Sequence, residues 1–325
     1  METYIKTRNT LLCLAINLIA TFISVSVCRA QFPEKNESAY LLQGAIDFHV
    51  HSAPDFFDRS LTDLELAELA ERKGMSAFVI KNHFISTVDR AMLVNSRFEK
   101  IKAYGGVVLN RSVGGINPAA VEWMCKMSPV YGKIVWFPTL DAAFHKRIVK
   151  DSTAGLSVVD PNRISAKTIE VLKIIARENL VLATGHLSAE EMVALVKEAV
   201  RQGVANILIT HCLADWPNLT HAQMTELAKA GALLELTYLS YLSGPQAPVN
   251  FLKNSKHVSM QTMAEAIKTI GAEHFIISSD LGQTGNPIPP DGMKLFIAML
   301  MENGITAEEV RWMIRRNPAR LLGIE

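Results

Sequence analysis

The chain has 325 residues, 49% of them hydrophobic and 20% charged, with a formal net charge of +1. That composition supplies a sizeable core and marks a globular protein. The near balance of charge excludes the basic excess that nucleic-acid or anionic-membrane partners require. The first elements in chain order stand apart. Lys6 and Arg8 give a positive start, Leu11 to Val27 is apolar apart from Asn17, Thr21 and serines, and Cys28-Arg29-Ala30 offers small residues where a signal peptidase reads. Residues 1–30 thus read as a cleavable secretory signal ending at Ala30. The competing readings are an uncleaved anchor, because the apolar run is near the lower length limit for a span, and a lipoprotein box that Val27 and Arg29 flank badly.

Residues 31–325 form the remaining domain, exported to the periplasm or secreted. Residues 31–43 are polar and loop-like. Apolar, strand-like runs then alternate with amphipathic stretches: Ala45–His49, Ala77–Lys81, Gly105–Leu109, Ile134–Phe137, Leu180–Thr184, Asn206–Thr210, Ala232–Thr237 and Phe275–Ser279. Short continuous runs of Val, Ile, Leu and Phe are what strands covered on both faces require. Helix starts are written as capping boxes at Thr62–Glu65, Ser188–Glu191, Thr220–Gln223 and Thr306–Glu309. Gly74, Gly203, Gly231 and Gly271 fall where helices should stop. Eight strand–helix alternations predict one α/β domain, a parallel eight-stranded (β/α)₈ barrel. A doubly wound sheet should show a Gly-rich turn after its first strand; here that strand ends in Asp47-Phe-His-Val-His51. Asp141–Arg163, longer and irregular, reads as a lid over the barrel mouth.

Two cysteines remain after the leader, Cys125 and Cys212, and read as free buried thiols rather than a pair. Asn36, Asn110 and Asn218 begin glycosylation sequons that matter only in a eukaryotic host.

The chemistry-bearing residues collect at one topological place. Strand one ends in Asp47, His49 and His51, strand two in Lys81, Asn82 and His83, strand five in His186, strand six in His211 and strand eight in Asp280. Barrel active sites lie at these C-terminal strand ends. His49 and His51 are two apart, so they share a face. Imidazole nitrogen and carboxylate oxygen are donors that Zn²⁺ and similar ions accept. Any one of these histidines is as readily a satisfied polar residue as a ligand; the joint pattern is what points to a metal. Asn110, Asn117 and Thr139 follow strand ends and read equally as substrate contacts or as turns and caps. Arg59 and Arg90 read as solvated helix residues, and His145, His221, His257 and His274 as structural or exposed.

This pattern resembles the amidohydrolase superfamily, on His49, His51, His186, His211 and Asp280 and on the tail Arg316-Asn-Pro-Ala-Arg-Leu-Leu-Gly323. Within it, Lys81-Asn-His83, Leu109-Asn110, Gly114–Pro118 and Trp136–Thr139 are similar to an uncharacterised branch of predicted hydrolases. The resemblance implies that His49, His51 and Asp280 hold the more buried metal and that His186 and His211 complete that site or hold a second ion. It further implies Zn²⁺, with Mn²⁺ as the alternative, and Asp280 as general base. A metal-activated water would then attack an amide, ester, lactone or phosphoester of a small-molecule substrate.

One departure stands out: the metal-bridging Lys or Glu usual at the end of strand four is missing, since Lys133 is at the strand's wrong end. Lys81 could serve as a carboxylated bridge, bind a substrate anion, or pair with Asp47 or Asp280. A catalytic role for Lys81, and substrate contacts from His83, Asn110 and Thr139, complete the expected site. A metal-dependent decarboxylase and a non-catalytic ligand-binding barrel are the competing readings. No membrane association after signal cleavage and an open oligomeric state, a homo-oligomer included, complete the expectations. Intact-mass analysis of the exported chain should find a mature N-terminus near Gln31; a retained Met1 would contradict cleavage.

Overall fold

Eight short apolar runs pair in chain order as parallel strands. They are β1 (Ile46–Val50), β2 (Ala77–Ile80), β3 (Lys102–Val108), β4 (Gly132–Trp136), β5 (Val181–Ala183), β6 (Asn206–Ile209), β7 (Leu233–Thr237) and β8 (Phe275–Ser278). The computed structural model describes residues 37–161 and 163–324. The leader expected over residues 1–30, with Cys13 and Cys28, and the sequon at Asn36 lie outside the described residues. The ends of the sheet meet just beyond the strands. Asp280 N donates to His49 O and His51 N to Leu281 O, both at 2.8 Å. The sheet therefore closes as the (β/α)₈ barrel that the strand–helix alternation predicts.

The longer helices and one short helix of the segment after β4, α4, are α1 (Asp63–Arg72), α2 (Val88–Arg97), α3 (Pro118–Met127), α4 (Ala143–Ile148), α5 (Ala166–Arg177), α6 (Ala189–Arg201), α7 (His221–Lys229), α8 (Met260–Ile270) and α9 (Pro289–Glu302). The capping boxes at Thr62, Ser188 and Thr220 form as expected and start α1, α6 and α7; the fourth, at Thr306, starts the short helix Ala307–Arg311. Gly203 and Gly231 end their helices at φ of 83° and 93° with open space around them. Their requirement is the left-handed backbone alone, which a Cβ would strain.

Two hydrophobic layers result. Ile46, Phe48, Ala77, Val79, Ile134, Trp136, Val181, Ala183, Leu208, Leu233 and Ile276 fill the barrel interior, joined by Leu321 and Leu322 from the C-terminal helix. The alternate strand residues pack outward against the helices. β1 departs from simple alternation. Its pairing with β2 shifts register between Asp47 and Val50. A bulge there lets Phe48 sit in the interior core while Val50 joins the outer layer. Such a bulge re-aims side chains at a barrel rim; here it brings His49 and His51 inward above Phe48.

Three expectations change. Residues 31–43 are not all loop, because Glu37–Leu41 form a short helix. The 141–163 stretch is not irregular throughout: it carries α4 and a two-stranded hairpin, Val159–Asp160 with Arg163–Ile164. Arg90 is not solvated. Its guanidinium donates to Asp63 at 2.7 and 2.8 Å and to Ser52 O at 2.8 Å, all buried. Cys125 and Cys212 are both free, the first half-buried and the second buried. No helix among the described residues is long and apolar enough to cross a membrane.

The Asn-Pro-Ala tail has a structural task. The buried Asn317 amide donates to Phe275 O at 2.7 Å, Glu273 O at 3.0 Å and Ala272 O at 3.4 Å, anchoring the start of β8. Replacing Asn317 with Ala strands those carbonyls and should cost roughly 1–3 kcal/mol, read as a lower midpoint in urea unfolding.

Candidate metal centre

His49, His51 and Asp280 converge at the β1–β8 seam, with one ligand-capable atom from each lying within 4.8 Å of the others. Asp280 Oδ1 is 3.0 Å from His49 Nε2 and 3.2 Å from His51 Nε2. Both rings are almost fully buried. Asp280 holds a left-handed backbone, φ 54°, as does His211 at φ 30°. Each such conformation costs on the order of 1–3 kcal/mol and persists where surrounding structure dictates it.

Behind His49 lies Glu235, which the sequence reading missed. His49 Nδ1 donates to Glu235 Oε1 at 3.2 Å, and His211 N donates to Oε2 at 3.0 Å. Glu235 sits in phase with the interior residue Leu233 of β7. A lone acid inside Leu-Leu-Glu-Leu-Thr was the available signal. A ligand histidine whose second nitrogen is held by a carboxylate is oriented and made more basic.

The electrostatics fit a cation. Burial opposes charge on Asp280, yet His49 and His51 hold its carboxyl well below the usual range. Glu235 is likewise held down, against burial, chiefly by His49. Burial keeps His51, His83 and His186 well below the ordinary imidazole value, and brings His145 and His211 down to about 4. The set is therefore neutral imidazoles with ionised carboxylates, the protonation state that metal ligands need. His49 is the exception: burial lowers it, but Asp280 and Glu235 together outweigh that and raise it. With its Nδ1 proton turned to Glu235, His49 Nε2 faces Asp280 Oδ1 as one acceptor facing another. Positive charge belongs where those atoms meet. Arg59 Nη2 lies 3.3 Å from His51 Nδ1. A guanidinium only donates, so this contact favours the His51 proton on Nε2, and a cation there requires Arg59 to release Nδ1.

Lys81 is buried, and its Nζ donates to His49 Nε2 at 3.0 Å. It forms no ion pair with Asp47 or Asp280 among the described residues, so simple pairing does not account for it. Asp47 instead accepts from Ser279 N at 2.9 Å and His49 N at 3.3 Å, and burial pushes its carboxyl up to about 7.

The remaining expected residues divide. His186 and His211 line the same cavity as His51, Lys81, His83 and Asp280. Gly185, φ 66°, permits the turn that delivers His186, since a Cβ would lie 2.3 Å from Phe137 O. Asn110 and Thr139 are buried and engaged with each other. Asn110 Nδ2 donates to Thr139 Oγ1 at 2.8 Å and to His83 O at 3.0 Å, and Thr139 Oγ1 is 2.8 Å from His83 Nδ1. Their polar atoms brace His83 within the protein. Asn117 caps α3.

Two residues read as peripheral come into the site. Arg59 packs in the cavity wall, its side chain 3% exposed and paired with Asp55. His145, from α4, places Nδ1 3.0 Å from His186 Nδ1. Trp216 stacks on His186 with ring centroids 5.0 Å apart and planes 12° from parallel, and its carbonyl lies 2.7 Å from His211 Nδ1. The expected lid thus reaches the centre through His145.

A model described as a family of unknown function (DUF6282) matches residues 44–235. A search of curated protein sequences finds no match. Among solved structures, the fold is similar to an amidohydrolase from Pseudomonas aeruginosa, with 14% identity, a TM-score of 0.60, and 89% of this chain and 98% of that one covered. It is also similar to a probable dipeptidase from the same organism, with 13% identity, a TM-score of 0.59 and 90% and 98% covered. A 2,6-dihydroxybenzoate decarboxylase from Rhizobium aligns with 12% identity, a TM-score of 0.52 and 87% and 99% covered. The barrel fold is therefore shared with these structures.

Glu235→Ala removes the carboxylate behind His49 and should weaken divalent-cation affinity about 10- to 100-fold, measured by competition with a chromogenic chelator. Glu235→Gln, which keeps an acceptor, should lose less.

Proposed function

The chain belongs to the DUF6282 family, a family of unknown function, and from that premise we propose that it is a metal-dependent hydrolase acting on an amide, ester, lactone or phosphoester of a small molecule. The observation that carries the reading is the buried convergence of His49, His51 and Asp280 on one point at the floor of an open cavity. We take the ion to be Zn²⁺, because two imidazoles and a carboxylate are donors it favours, with Mn²⁺ the alternative. A divalent ion in this position supplies a Lewis acid and a water acidic enough to ionise near neutral pH.

The chain's own residues account for the rest. Asp280 stays ionised and lines the cavity, so it takes the proton of the attacking water and can return it to the leaving group. Lys81, buried and in no ion pair with a carboxylate among the described residues, faces developing negative charge on the substrate oxygen. Glu235 holds the His49 ring fixed while charge shifts beside it. His186 and His211 extend the donor set toward the lid, where they complete the site or hold a second ion. We further propose that residues 1–30 are a cleaved leader and that the reaction runs outside the cytoplasm; Lys6, Arg8 and the apolar run from Leu11 to Val27 support that reading.

The similarity to a decarboxylase and the absent strand-four bridge favour a single-ion lyase as the second reading. Elemental analysis of chain purified without chelator tests both. At least one equivalent of metal is expected, lost in His49→Ala/His51→Ala. Asp280→Asn should lower hydrolysis of a responsive substrate by about 10²- to 10⁴-fold. Carbon dioxide release without hydrolysis would establish the lyase. Wild-type chain that takes up neither Zn²⁺ nor Mn²⁺ would falsify both.

A further inference from the structure

The cavity above the centre measures about 1100 Å³, at the upper end of small-molecule sites. A scissile bond and its immediate substituents fill a small part of it. Part of what lines the remainder is apolar and exposed. Phe57 is 41% exposed, Ile148 45%, Val149 51% and Phe251 64%, and all four line the cavity. Phe56, 79% exposed, lies against Phe57 and Phe84 with ring centroids 5.2–5.3 Å apart.

Single exposed apolar side chains need no explanation. These come from three separate loops, after β1, β4 and β7, and they surround one opening. The first two of those loops also deliver centre residues, Arg59 and His145. Trp216, which stacks on His186, lines the same cavity and ties it to the centre. Exposed apolar side chains gathered around one cavity mark a binding site, and the centre at which that cavity ends says what binds there.

We propose that the substrate carries an extended apolar moiety, an alkyl chain or aryl group, that seats against Phe57, Ile148, Val149, Trp216 and Phe251 while its polar bond reaches the floor. This rests on the hydrolase reading for the reaction, though not for the binding. The charged side chains Asp58, Lys150, Asp215 and Lys256 also line the cavity and leave room for a polar group beside the apolar side chains.

The test uses full-length chain loaded with Zn²⁺ and p-nitrophenyl esters from acetate to decanoate. The value of kcat/KM should rise about two- to fourfold per added methylene, the fold-change that burial of one CH₂ allows, until the cavity is filled. Phe57→Ser/Phe251→Ser should flatten that gradient, and circular dichroism should show the variant folded, because both side chains are exposed. Calorimetry with straight-chain alkanoates from hexanoate to dodecanoate, on wild type and on His49→Ala/His51→Ala, separates binding from chemistry. A length gradient in binding without ester hydrolysis upholds the apolar site and removes the hydrolase reading. Hydrolysis of the acetyl ester with no length dependence in rate or binding overturns this proposal and leaves that reading standing. Sedimentation with phosphatidylcholine vesicles, lost in Phe57→Ser/Phe251→Ser and unaccompanied by any length gradient, would make the rim a lipid-surface contact and also overturns it.

Discussion

The Asp280 carboxylate, held between the His49 and His51 rings, is the contact on which both closure and chemistry depend. The same residues that form the centre also join β1 to β8: Asp280 N bonds to His49 O, and His51 N to Leu281 O. Asp47 adds a third tie by accepting from Ser279 N. A barrel has one seam at which the first and last strands must find each other across the whole chain. Placing the donor set there makes its geometry a consequence of closure, with no separate alignment of loops required. Asn317 anchors the other end of β8 to the C-terminal helix.

Burying this much ionisable chemistry is unfavourable unless the charges compensate one another. Two buried carboxylates, Asp280 and Glu235, face one ammonium, Lys81, around His49; Arg59 is already matched by Asp55. The local excess is negative, and the raised proton affinity of His49 expresses it. A bound cation satisfies the same excess. Left-handed backbone at Asp280 and His211 adds strain at the same place. A purely structural core would have no use for such an arrangement, which is the physical ground for reading function here.

The loops divide the remaining work. The segment after β4 lowers His145 onto His186, and the segment after β6 lays Trp216 against both rings, its centroid 5.0 Å from His186 and 4.7 Å from His145. His186 is thus gripped by two loops that share no secondary structure. The same loops, with those after β1 and β7, leave apolar side chains around the opening. Rigid strands hold the donors, and loops shape what reaches them, the division of labour that barrel enzymes exploit.

Local chemistry fixed the strands, the capping boxes and the helix stops. Continuous Val, Ile and Leu runs, Thr62 with Glu65, and Gly203 each act through neighbours a few residues away, so their outcome was written in the order of residues. The gathering of these side chains was legible for the same reason: apolar runs that end at His51, His186, His211 and Asp280 place them at one end of the barrel whatever the loops do. What only the tertiary structure decided were relations across the chain. The β1 bulge sets His49 and His51 inward above an interior Phe48, and no period-two pattern specifies it. Glu235 has meaning only because β7 stands opposite His49. Asn110 and Thr139 brace His83, and His145 and Arg59 enter the site, through contacts spanning tens of residues. Such contacts depend on where the closed barrel brings distant segments together, and sequence spacing carries no record of that.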